Sequence, residues 1–226
     1  MKALVALSGN GVYDGSEIHE SVLTLLHLNM QGIEYQCVAP NIKQYHVINH
    51  TNGEEMKESR NVLVEAARIA RGDIKDLSEV SIADYDALIL PGGFGAAKNF
   101  TTWAFDGPKG SVLKEIKTII LDTVKLKKPI LAKCMAPVVI AKSLEGSTIS
   151  AKLTVGSDKE ATPYEIEAIS AGMESIGARA EKVSVRELTV DTVHKIITTP
   201  CYMMEASISE ISEGIAKAVS ALKLML

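Results

Sequence analysis

The chain is expected to fold as an α/β protein around a mainly parallel sheet covered on both faces by helices. Three observations lead there. Several short runs are apolar throughout rather than alternating, as strands buried on both faces are. Helical periodicity follows each of them. Finally, 226 residues, 46% hydrophobic and 23% charged, suffice to bury a core without staples. Aromatics are only 4%, so that core must be aliphatic. No repeat, low-complexity tract or linker divides the sequence, so residues 1–226 are read as one domain.

The first strand is expected over 3–8 (ALVALS), stopped by Gly9 and Gly11. A helix is expected from Ser16 to Met30, with Ile18, Val22, Leu25, Leu26 and Leu28 as its apolar positions and Gly32 ending it. Asp14 followed by Glu17 reads as its capping box. The second strand is 34–39 (EYQCVA). Residues 41–60 are an irregular insertion around a Thr-Asn-Gly-Glu turn signal, expected as a hairpin on one sheet edge. A helix with Val62, Leu63, Ala66 and Ile69 on one face covers about 59–71. The third strand, 86–90, breaks at Pro91-Gly92-Gly93. An amphipathic helix at 109–126 leads to the fourth strand, 129–133, which runs straight into Cys134 and another helix. Helices at 163–171 and 205–224 flank a last strand at 194–199.

The formal net charge of −4, with no dense basic run, argues against nucleic acid or an anionic membrane surface as partner. No apolar stretch reaches the roughly 20 residues of a membrane span. The opening residues stop too soon to form a signal segment. Three widely spaced cysteines, Cys37, Cys134 and Cys201, make no disulfide framework and fit a reducing compartment. The cytoplasm is therefore the expected location. The histidines show no metal-binding spacing, and no cofactor is implied.

In a parallel sheet the ligand crevice lies at the carboxyl ends of the strands. Four motifs converge there: Gly9–Glu17, Pro91–Gly95, Cys134 and Thr199–Tyr202. Cys134, at a strand-to-helix turn flanked by the small residues Ala132 and Ala136, fits a nucleophile elbow. A helix N-terminus there favours the thiolate. The backbone N–H groups of Gly93 and Met135 are the expected oxyanion donors. Glu17 is read either as a helix cap or as a carboxyl beside Cys134 that exchanges protons with a substrate. Gly11 and Pro200 are the expected substrate-binding positions. Lys133 is expected on the opposite side of the strand, without a part in the site.

Together LSGNGVYDGSEIHESVLTLL, INHTNGEEMKESRNVLVEAARIARG, LPGGFGAAKNF, KCMAP and ITTPCYMMEASISEISEGI resemble the ElbB-like proteins. These belong to the ThiJ/PfpI branch of the class I glutamine amidotransferase-like superfamily. The resemblance implies a flavodoxin-like three-layer sandwich, with Cys134 and Glu17 as the reactive pair and Gly93 facing the sulfur. It also implies a glyoxalase needing neither glutathione nor metal, acting on a small aldehyde or dicarbonyl such as methylglyoxal. A homodimer and a link by name to isoprenoid biosynthesis come with it. Met135 stands where enzymatic relatives often carry a histidine, which leaves His19 as the substitute third group. His194-Lys195-Ile196 does not supply the His-x-Glu dyad of glutaminases, so amidotransferase activity is not expected. The competing expectation is a redox-responsive or stress-protective protein with an oxidisable cysteine.

Overall fold

A computed structural model describes all 226 residues. In chain order the elements are β1 (Lys2–Ala6), α1 (Ile18–Met30), β2 (Glu34–Ala39), α2 (Val62–Ile69), β3 (Ile74–Asp76), β4 (Ala87–Leu90), α3 (Trp103–Asp106) and α4 (Lys114–Lys125). They continue with β5 (Ile130–Lys133), α5 (Pro137–Leu144), β6 (Lys152–Leu153), α6 (Ile166–Ser175), β7 (Arg179–Ala180), β8 (Thr189–Asp191), β9 (Ile196–Thr199) and α7 (Ile208–Lys223). Seven strands form one sheet in the order β3-β2-β1-β4-β5-β9-β8. All its neighbours are parallel except the β8–β9 pair. The four central strands are buried throughout, apart from the half-buried Lys2, which explains their continuous apolar runs. On one side α1 packs on α7 and α2, and on the other α5 packs between α4 and α6. This is the flavodoxin-like three-layer sandwich. None of its helices is long and apolar enough to cross a membrane.

Several local expectations are corrected. The edge strands β3 and β8 and the separate β6–β7 pair have only two or three residues each, too few to make a pattern. The turn at 49–53 does not extend the sheet. Ile48 and Glu55 make an isolated bridge, and the segment packs on the loop after β1. There Ile48 N–H donates to Asp14 Oδ2 at 2.7 Å, and Tyr13 N–H donates to His50 Nε2 at 3.2 Å. Asp14 is thus a loop clamp and not the cap of α1. Glu17 caps it, its Oε2 accepting from Glu20 N–H at 2.6 Å. The burial of α1 matches the expectation at Leu28 and Leu25 but not at its other apolar positions. Its buried residues are Glu20, Ser21, Thr24 and Leu28, while Ile18, Val22 and Leu26 face outward.

The strand order reverses on either side of β1, whose neighbours are β2 and β4. Such a switch point opens a crevice at the carboxyl ends of the strands.

Candidate active site

The loop after β1 and the loop after β4 are sewn together by backbone bonds. Glu17 N–H donates to Gly92 O at 2.9 Å, Phe94 N–H to Val12 O at 2.8 Å, and Gly95 N–H to Gly15 O at 2.9 Å. The amide of Asn99 donates to Ser8 O and Asp14 O at 2.9 and 3.0 Å. This closeness requires glycine. A Cβ on Gly93, which has φ +97°, would lie 2.3 Å from Gly15 O. One on Gly92 would lie 2.3 Å from Cys134 Cβ and 2.5 Å from Glu20 Oε2.

Cys134 follows β5 directly and has φ +54°, a strained value for a residue with a side chain. Its N–H donates to Thr199 O at 3.0 Å, which ties the turn to the end of β9. Pro137 opens α5 three residues later. The elbow is therefore present, with the sulfur beneath the loop after β4. Cys134 is only 6% exposed. Burial pushes its thiol well above the ordinary cysteine value, the nearby Glu20 charge adds to this, and the Gly93 N–H opposes it. The expectation of a free thiolate set by the helix N-terminus thus meets a larger opposing effect, the loss of water around the sulfur.

Two carboxyls attend the thiol. Glu20 is fully buried. Its Oε2 accepts from Gly92 N–H at 3.0 Å and its Oε1 from Tyr202 N–H at 3.2 Å. Burial, and secondly the charge of Glu17, raise its pKa to about 7. Glu17 is also raised by burial, against the backbone N–H of Glu20 that it caps. Glu20 escapes a sequence reading because a glutamate in a helix is taken as solvated. The signal available was the helix register. With α1 starting at Ile18, Glu20 and Thr24 share one face four residues apart.

A cavity of about 20 Å³ opens beside the sulfur, room for a single water. Glu17, Gly93, Cys134 and Met135 line it, with Val12, Phe94, Tyr164, Tyr202 and Met203 as walls. His19 is exposed and reaches this wall only through Tyr202, its Nδ1 lying 2.9 Å from the phenol oxygen. Gly11 and Pro200 do not line the cavity. Gly11 shapes the loop, since a Cβ there would lie 2.5 Å from Asp14 Oδ1. Pro200 opens the turn at 201–203, accepting from Met203 N–H at 3.1 Å. His194 precedes β9, at the far end of the strand from Cys134, and pairs with Asp191 at 2.9 Å. Lys133 does point away from the cavity, but it is completely buried behind α1.

Curated relatives match nearly the whole chain. The ES1 protein homolog, mitochondrial, of Rattus norvegicus is 44% identical over 222 residues, 96% of this chain and 81% of the relative. The glutamine amidotransferase-like class 1 domain-containing protein 3, mitochondrial, of Homo sapiens matches to the same extent. The chain belongs to this ElbB-like, glutamine amidotransferase-like family. No protein-family profile matches it. Among solved structures, an isoprenoid biosynthesis protein with an amidotransferase-like domain from Ehrlichia chaffeensis superposes with a TM-score of 0.90 at 32% identity. That match covers 100% of this chain and 99% of the other. The glyoxalase III of Candida albicans has a TM-score of 0.60 at 17% identity over 98% of this chain and 97% of its own, a likeness of fold. Because the curated relatives of this ElbB-like chain are named mitochondrial proteins, the expectation of a cytoplasmic location is withdrawn. Reduced cysteines report a reducing compartment, not which one.

Proposed function

We propose that the protein is a cofactor-independent, glyoxalase-like enzyme that converts methylglyoxal or glyoxal to the corresponding 2-hydroxy acid. The observation that carries this reading is the pairing of an elbow cysteine with two carboxyls of raised proton affinity, one behind the sulfur and one on the cavity. Glu20 takes the thiol proton, and the Cys134 sulfur adds to the aldehyde carbon to give a hemithioacetal. Glu17 removes the proton from that carbon and returns it to the neighbouring one through an enediol, leaving a 2-hydroxy thioester. The N–H groups of Gly93 and Met135 hold the oxygen charge. Water then cleaves the thioester, releasing the acid and restoring the thiol. His19 serves as a proton relay at the rim through Tyr202, and Gly11 and Pro200 set the loops that receive substrate. The glyoxalase III name carried by a protein of the same fold supports the reaction class.

A second reading is favoured by the size of the cavity. Space for one water admits a peroxide more readily than a dicarbonyl, which suits an oxidisable cysteine with little turnover. Lactate formation from methylglyoxal without added cofactor separates the two. The glyoxalase reading expects turnover in the wild type and none in Cys134→Ala. Equal rates in both would end it, while selective sulfinic oxidation of Cys134 without lactate would establish the second reading.

A further inference from the structure

The least expected group in the core is an ammonium. Lys133 ends β5 and is 0% exposed. A lysine is almost never fully buried unless paired, and a buried charge costs several kcal/mol unless compensated. Strand alternation sends its side chain to the face opposite Cys134, under α1. There its Nζ donates to Thr24 Oγ1, and that hydroxyl donates in turn to the backbone oxygen of Glu20. Thr24 and Glu20 lie one helical turn apart on the buried face of α1. The ammonium is thus linked through one hydroxyl to the backbone of Glu20, whose carboxylate stands beside the sulfur, without a direct ion pair within 4 Å. A methionine would fill the same volume without the cost of burying a charge, so packing does not account for a lysine here.

We infer that Lys133 is a positioning residue, a buried counter-ion seated on Thr24 that lets the Glu20–Cys134 pair carry one negative charge inside the protein. This rests on the pair acting as proposed above.

The surroundings leave the ammonium few other partners. From α1 the groups that face it are Glu20 and His27, with Glu17 beyond Glu20. From the strand ends they are Cys134 and Cys201, with Tyr202 held on Glu20. The buried face of α7, which packs on β5, is apolar: Ile211, Ile215, Ala218 and Val219. Burial lowers the Lys133 pKa to about 8, with Cys201, Glu20 and Cys134 holding it up. The field acts in return on its neighbours, lowering the proton affinity of Glu20 and Cys201.

The test is the pH dependence of Cys134 oxidation by hydrogen peroxide, a reagent small enough for the cavity, in the full-length protein. Peptide masses count Cys37 and Cys201 separately. Lys133→Met is expected to move the midpoint upward by about one pH unit, a tenfold slower reaction below the midpoint. A merely structural role would change the melting temperature and leave the midpoint in place, and an unmoved midpoint overturns the inference. Thr24→Val, which keeps the charge but removes its seat, is expected to shift the midpoint in the same direction by less. If Lys133→Met does not fold, an unmoved midpoint in Thr24→Val overturns the inference instead. Lactate formation is followed in parallel. A wild type without turnover whose midpoint still moves on Lys133→Met discards the glyoxalase reading and keeps the counter-ion.

Discussion

At Gly92 three atoms compete for the space of one methyl group. An added Cβ would meet Cys134 Cβ at 2.3 Å, Glu20 Oε2 at 2.5 Å and Cys134 Sγ at 3.0 Å. Gly92→Ala is therefore expected to abolish lactate formation and to lower stability by roughly 1–3 kcal/mol, checked by turnover and urea unfolding. Glu20 gives a pH prediction whose sign follows from its position. Its pKa of about 7 in the folded chain lies above the ordinary carboxyl value of 4.5. The folded state therefore holds the proton more tightly, and stability is lost as pH rises from about 4.5 through about 7. Glu20→Gln does not titrate and is spared that loss. Its melting temperature relative to wild type should rise between pH 5 and pH 8, by an equivalent of about 3 kcal/mol at most. A constant difference across that range would mean that the carboxyl is not desolvated. Cys134 was legible in the sequence because an apolar strand ends directly on it and small residues flank it. Glu20 was not, because a charged side chain is by default assigned to water, and of Lys133 the direction was legible but not the partner Thr24. Only the packing of α1 over β5 takes that water away.

Helix α1 shows why elements were easier to place than to orient. The strands that were legible each carry a run of mostly apolar residues, buried on both faces in β1, β4, β5 and β9. The short edges β3 and β8 carry too little pattern to be seen. In α1 the apolar residues were legible but their direction was not. Ile18, Val22, Leu26 and Met30 recur every fourth residue and form one outward row, with Met30 70% exposed. The polar row Glu20 and Thr24 faces inward because it serves Cys134 and Lys133. The dimer that the family resemblance implies would seat a second copy on Val22 and Leu26, both exposed on this row. The double substitution Val22→Asp and Leu26→Asp should convert a dimer to a monomer in sedimentation velocity and leave the far-ultraviolet circular dichroism unchanged. A wild type that sediments as a monomer would remove the proposal.

Across the whole molecule, the loops after β1, β4, β5 and β9 and the segment after β6 close over the carboxyl end of the sheet and leave about 20 Å³ at the sulfur. Two of its wall residues are rings in contact. Phe94, from the loop after β4, meets Tyr164 edge to face, with centroids 5.7 Å apart. They come from distant parts of the chain, yet both line the same cavity. On the glyoxalase reading proposed above, a dicarbonyl enters by parting the two rings, and the work of parting them grows with the size of the substituent. Glyoxal should then be the better substrate and phenylglyoxal the poorer one. Removing one ring should narrow the gap. Phe94→Ala is expected to raise kcat/KM for phenylglyoxal relative to that for glyoxal by about tenfold, the size of discrimination that a modest change in an apolar pocket supplies. The experiment compares both substrates in wild type and variant. An unchanged ratio would mean that substrate enters by another route, and that the ring pair is packing and not a gate.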